Sequence, residues 1–244
     1  MLEQGKGMKF AEHTSRKLLF SGVDLSIKPG VEHKFSFAMS KPYIKDKSVL
    51  DIGCWNGKYI NLIRDAVPSL AIGIDIEEKA LRVAKTRIPT SEFLVASVFN
   101  LPFKDNTFDV VTLWAVIEHI VANAELRALH EINRVLKDGG KLFLSTPNDH
   151  LLSKILDPGY FLTGHRHYSK ERLTRLLNSS GFIIEDFYVK GGIFDCLSTI
   201  LFYFFKYVIR RAYSIKALSR LVEREYAREI DRFNVIFLMV KKGT

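Results

Sequence analysis

Cysteine is nearly absent: 244 residues carry only two, Cys54 and Cys196. Such a pair excludes a disulfide framework and a thiolate metal cage, so a reducing cytoplasm is the expected compartment and no metal site is expected. The opening MLEQGKGMKF lacks the apolar core of a signal peptide, which points the same way. Long apolar runs are missing too. The most apolar stretch, Ile193 to Ile209, is broken by Asp195 and Lys206 and falls short of the ~20 residues that span a bilayer. No transmembrane helix is expected. There is no concentrated basic tract either. The formal charge of +9 raises nucleic acid or an anionic membrane as a partner. Lys and Arg are spread along the chain, however, without a zinc-knuckle or RNA-binding signature, so nucleic acid is not expected. What remains, 47% hydrophobic and 26% charged residues, is the balance of one compact domain over 1–244.

The most informative stretch is Val49 to Gly57, VLDIGCWNG. It reads as a short apolar strand that ends on an acid and breaks into a glycine-bounded turn, followed by a helical pattern from Lys58 to Ala66. A second apolar run, Leu70 to Ile76, ends on Asp75, about 20 residues after Asp51, the separation that a βαβ unit imposes. A carboxylate there can accept both hydroxyl hydrogens of a ribose. Dinucleotide sites need G-x-G-x-x-G so that a pyrophosphate can meet bare backbone. Here bulky Trp55 occupies the place of the middle glycine, which favours a nucleoside ligand without phosphate.

On these residues the chain resembles the class I S-adenosylmethionine-dependent methyltransferases. Asp51, Gly53 and Gly57 match the first motif of that family and Trp55 departs from it. The likeness continues through Phe93 to His119, resembling the third and fourth strands, and Glu131 to Pro147, resembling a helix, Gly-Gly turn and fifth strand. Phe182 to Val189 and Val235 to Lys241 are the candidate sixth and seventh strands. The resemblance implies an α/β, Rossmann-like, seven-stranded and mostly parallel sheet with helices on both faces. It also implies a late antiparallel strand, an N-terminal helical cap over 1–47, and a helical insertion over 191–232. In relatives such caps lie over the cofactor, so His33 to Tyr43 are expected either to close the site or merely to pack on the surface. The resemblance further assigns S-adenosylmethionine to Asp51, Gly53, Cys54 and Gly57 at its methionine end and to Asp75 at the ribose. Ile76, Ser97 and Val98 would lie around the adenine, and Leu113 and Trp114 beside the methyl group.

Methyl transfer demands mostly positioning, with a base only where the acceptor must lose a proton. His119, after the fourth strand, is the first candidate, with His165 and His167 of the dense loop GHRHYS beside it. Arg166 of that loop is a candidate grip for an acidic group. Structural roles compete for each. In the insertion, Ile193, Leu197, Ile200, Leu201, Phe204, Phe205, Val208 and Ile209 recur at helical spacing and are expected to face the domain. Phe202, Tyr203 and Tyr207 would then form an aromatic flank that needs a cover: lipid, apolar substrate or a second subunit in a homodimer. Arg210, Arg211, Lys216, Arg220 and Arg224 follow, which favours an anionic membrane surface along 193–224, with a lid or dimer helix as the alternative. The expected activity is methyl transfer to a small-molecule, lipid or glycan acceptor, at oxygen. Nucleic-acid methylation is disfavoured because Leu113 to Ile117 stands where an amino-methylating enzyme has Asn/Asp-Pro-Pro-aromatic. A non-catalytic scaffold that keeps the fold is the further alternative.

Overall fold

In a computed structural model, residues 29–210, 215–228 and 232–243 are described; positions 1–28 of the expected cap and Arg211 lie outside them. Seven strands, β1 (Ser48–Ile52), β2 (Leu70–Asp75), β3 (Glu92–Val95), β4 (Phe108–Trp114), β5 (Leu136–Pro147), β6 (Phe182–Lys190) and β7 (Val235–Lys242), form one sheet in the order β3-β2-β1-β4-β5-β7-β6. β1 to β5 are parallel, and β7 runs antiparallel between β5 and β6. β2 leaves to one side of β1 and β4 pairs on the other. That reversal of strand order opens a crevice at the carboxyl ends of β1 and β4.

Both faces of the sheet are covered, which is why its central strands are apolar throughout. Side chains alternate. Leu50, Val111, Leu142 and Leu144 point into a core closed by α4 (Glu125–Val135) and α7 (Lys170–Ser179). Val49, Val110 and Phe143 point into the opposite core with Tyr59, Ile60 and Ile63 of α2 (Lys58–Ile63) and Leu81 of α3 (Glu78–Arg87). α1 (Val31–Ser40) lies over α2 through a hydrogen bond between Ser40 Oγ and Tyr59 OH of 2.7 Å. α5 (Leu151–Leu156) and α6 (Pro158–Leu162) follow β5, and α8 (Ile193–Phe204) and α9 (Lys216–Ala227) separate β6 from β7.

α8, which ends in a single π-helical turn over Phe205–Ile209, meets the sequence expectation only in part: Ile200, Leu201 and Phe205 are half-buried. Ile193, Leu197, Phe204, Val208 and Ile209, expected to face the domain, are exposed, whereas Cys196 and Lys206 are buried. Of the expected aromatic flank, Tyr203 and Tyr207 are half-buried and Phe202 is exposed. The cause is polar. Asp195 accepts from Asn234 Nδ2 at 2.9 Å and from Tyr226 OH at 3.4 Å, and those partners exist only on the protein side. Glu225 of α9 fixes the start of the helix by accepting from the backbone N–H groups of Gly192, Phe194 and Asp195 at 3.1, 2.9 and 2.9 Å. Glu225→Ala therefore leaves three amides without that partner and should cost about 1–2 kcal/mol. Hydrogen exchange is expected to accelerate at the start of α8 and not in β1 to β5; unchanged exchange there would contradict the capping role.

Candidate functional site

The β1–α2 loop closes on itself. Gly53 and Cys54 donate their N–H groups to the carbonyl of Ile74 at 2.8 and 3.0 Å, and Gly57 donates to Cys54 O at 2.9 Å. Trp55 donates to Asp75 Oδ2 at 2.9 Å. Gly53 (φ 73°) and Gly57 (φ 79°) are left-handed, and a Cβ on Gly53 would fall 2.4 Å from Val116, so the tight approach of this loop to the β4 end requires glycine. Trp55 (φ 49°) and Ala115 (φ 51°), the residue after β4, hold the same conformation without being glycine, a cost of about 1–3 kcal/mol each that clusters at the strand tips.

The consequence is chemical. An anion such as a pyrophosphate needs free backbone donors, and those of Gly53, Cys54, Trp55 and Gly57 are already engaged. Below the loop, buried Asp51 accepts from Thr112 Oγ1 at 2.6 Å. Burial raises its pKa to about 7, against the Thr112 bond and with a smaller push from Asp75. The buried Cys54 thiol is likewise pushed up, which makes it a poor nucleophile.

Asp75 is the hinge of the site. Its Oδ2 accepts from Trp55 N–H and its Oδ1 from Glu77 N–H at 2.9 Å, which leaves each oxygen a further lone pair. Burial holds its pKa above the ordinary value despite both bonds. Ile76, next to it, is 61% exposed, an apolar shelf beside a carboxylate. Ser97 and Val98 are half-buried, and Ser97 Oγ accepts from Phe99 N–H at 3.3 Å. Leu113 is fully buried, and the Trp114 ring packs on Tyr59 and Phe143 at 5.5 and 6.2 Å.

On the other side of the crevice His119 is exposed and meets His165 with ring centroids 4.6 Å apart. Neighbouring protein, then His165 and Arg166, lower the His119 pKa against an opposite pull from Asp157, an effect that the ring's exposure to solvent reduces. His167 shares the Asp157 carboxylate with His165 but lies in the interior. It is buried, with Nδ1 at 3.0 Å from Asn148 O and Nε2 at 3.0 Å from Asp157 Oδ2, so both ring nitrogens are committed to holding α6. Arg166 is also occupied. It bonds Glu125 Oε1 at 2.6 Å and the carbonyls of Ile117 and Ile120, so it braces the turn under His119 and grips no acceptor.

Residues 50–144 match the model of the methyltransferase domain family. A probable S-adenosylmethionine-dependent methyltransferase of Mycolicibacterium smegmatis is 34% identical over 140 residues, 57% of this chain and 53% of that protein. The chain thus spans about half the length of the curated relatives it matches. Among solved structures, a putative sarcosine dimethylglycine methyltransferase of Galdieria sulphuraria superposes with TM-score 0.64 at 14% identity, over 95% of this chain and 98% of that one. The chain carries a class I S-adenosylmethionine-dependent methyltransferase domain. The cofactor of this domain is S-adenosylmethionine. The same fold also appears in the [4+2]-cyclase SpnF, with TM-score 0.63 at 19% identity, over 87% of this chain and 82% of that one, so fold alone does not specify the reaction.

Sequence reading missed two acids beside the carboxyl ends of β4 and β5. Glu118, buried, accepts from Thr146 Oγ1 at 3.2 Å, and Glu32 of α1 accepts from Ser145 Oγ at 3.2 Å. Burial pushes Glu118 up to about 8 and Glu32 up to about 7, with smaller contributions from Glu32 and Asp157 to the first and from Asp195 to the second. Glu118 beside His119 was the only local signal available. A carboxyl raised from 4.5 to about 8 stays protonated in the fold. Its stabilisation is complete below pH 4.5 and is lost as pH rises through about 8. Urea denaturation across that range should show stability falling with pH, with a shallower fall in Glu118→Gln; equal slopes would contradict the protonated state.

Proposed function

We propose that the chain is an S-adenosylmethionine-dependent methyltransferase acting on a small-molecule, lipid or glycan acceptor at a hydroxyl oxygen. One observation carries the choice of ligand: the β1–α2 loop spends its backbone donors on Ile74, Cys54 and Asp75. Such a loop repels nothing cationic and offers an anion no donor at Gly53, Cys54, Trp55 or Gly57, which suits the ammonium of an amino-acid terminus and not a pyrophosphate. Asp75 would take the ribose hydroxyls and Ile76 would lie under the adenine, with Ser97 and Val98 at its edge. Asp51 and Thr112 would support the loop from beneath, and the Leu113–Trp114 backbone would border the reacting centre. When bound, S-adenosylmethionine supplies a methyl group already activated on a sulfonium.

The remaining task falls to the protein. His119, neutral at physiological pH because its pKa is lowered, is free to accept the proton of an acceptor hydroxyl. His165, edge-on to it, orients the ring, and Asp157 holds His165 with Nδ1 at 3.5 Å from Oδ2. α1 brings Glu32 to Ser145 at the end of β5. The exposed side of 193–209 and the cations after it support peripheral association with an anionic membrane surface.

Calorimetry tests the ligand. S-adenosylmethionine should bind and NAD should not; the reverse, or no binding of either, would overturn the reading. Asp75→Ala removes charged hydrogen bonds worth about 1.5–3 kcal/mol each, so affinity should fall about tenfold to a hundredfold. His119→Ala should slow turnover in a methyl-incorporation assay with little change in cofactor affinity. Full turnover in that variant would remove His119 from the mechanism.

A further inference from the structure

Three short elements share an unusual property. Leu151 and Ile155 of α5, Phe161 and Leu162 of α6, and Ile193 and Val208 of the α8 segment are each more than half exposed. α8 packs against both α5 and α6, so these side chains belong to one apolar platform, beyond what isolated surface residues explain. The polar side of α8 is spent inward, through Asp195, Cys196 and Tyr203, leaving the apolar side as the one offered outward.

The charges around the platform are predominantly positive; Glu223, the exposed acid of α9, is paired with Lys34 at 2.7 Å. α5 and α6 contain no acid, and the single acid of 193–209, Asp195, is turned inward to Asn234 and Tyr226. The flanking acids are satisfied within the protein: Asp149 pairs with Lys154, and Asp157 with His165 and His167. Arg210 is exposed at the end of the π turn. α9, packed along α8, exposes Lys216, Arg220 and Arg224 at four-residue spacing. Lys206, the one buried cation of the segment, lies over the rings of Phe202 and Tyr207 at 5.7 and 4.9 Å. An apolar face rimmed by cations, with its acids withdrawn, complements an anionic lipid surface. Among the described residues no helix is long and apolar enough to cross a membrane, so contact is at the interface.

The platform also adjoins the crevice. Asp157 caps α6 by accepting from Gly159 N–H at 2.8 Å and holds His165, the neighbour of His119. Resting on the reading of the chain as a methyltransferase, we propose that α5, α6 and α8 form one docking surface for an anionic bilayer. We further propose that the acceptor is an amphiphile whose hydroxyl head enters the crevice beside α6 while its apolar part stays in the lipid.

The test uses the full chain and two vesicle types, phosphatidylcholine alone and an equal mixture with phosphatidylglycerol. Co-sedimentation with the mixed vesicles is expected, weakening in high salt and weakest with phosphatidylcholine alone. Phe161→Glu with Leu162→Glu, at exposed positions where folding is not at stake, should reduce binding about tenfold or more while calorimetric affinity for S-adenosylmethionine is unchanged. Absent sedimentation, or sedimentation indifferent to the double substitution, overturns the docking surface. So does a stable dimer in light scattering that the double substitution turns into a monomer, since a second copy would then be the cover. Methyl label from the cofactor should enter the organic phase of a membrane extract; label confined to the aqueous phase overturns the amphiphilic acceptor. Loss of cofactor binding in the unmodified chain would instead defeat the methyltransferase reading, leaving the vesicle result to stand or fall by itself.

Discussion

The carboxylate of Asp75 ties the site together. It ends β2, takes the amide of Trp55 from the loop after β1, and takes the amide of Glu77 from the turn leading into α3. Two separate chain segments are thus pinned at one buried charge. The pinning also determines what the loop can bind. With the Gly53 and Cys54 amides on Ile74 and the Trp55 amide on Asp75, the loop has lost the donors that make a dinucleotide site, and the left-handed strain at Trp55 is offset by the bond its amide makes there.

Around that anchor the molecule separates two chemical environments. Around the β1–α2 loop Asp75 is held by backbone amides and Asp51 by the Thr112 hydroxyl. Across the crevice Glu32, Glu118 and Asp195 are crowded by protein and have raised pKa values, at about 7, 8 and 6. Burial is the first cause for each. At neutral pH Glu118 keeps its proton, Glu32 is close to half protonated and Asp195 is mostly ionised. His119 is displaced the other way and stays unprotonated.

Much of this was legible in the sequence where the chemistry is local. Asp51, Gly53, Gly57 and Asp75 lie within one βαβ unit, whose geometry is fixed by chain connectivity, and the alternation of apolar runs announced a doubly wound sheet. The rotation of α8 about its axis was not legible. Helical spacing finds an apolar stripe, yet it cannot tell which side of the helix meets the protein. Here that was decided by Asp195 reaching Asn234 and by Glu225 reaching the helix start, contacts between residues 30 or more positions apart. The same distance hid Glu32 and Asp157, which join the crevice from α1 and α6. Sequence spacing grouped His165 and His167 as equals, whereas the fold gives His167 to Asn148 and Asp157 and leaves His165 beside His119.

A crystal structure of the chain with S-adenosylhomocysteine tests the central claim most directly. The account predicts both ribose hydroxyls on the Asp75 carboxylate, the base over Ile76, and the amino-acid end against the loop of Gly53. A crevice left vacant at saturating ligand, or the ribose held anywhere but at Asp75, would contradict it.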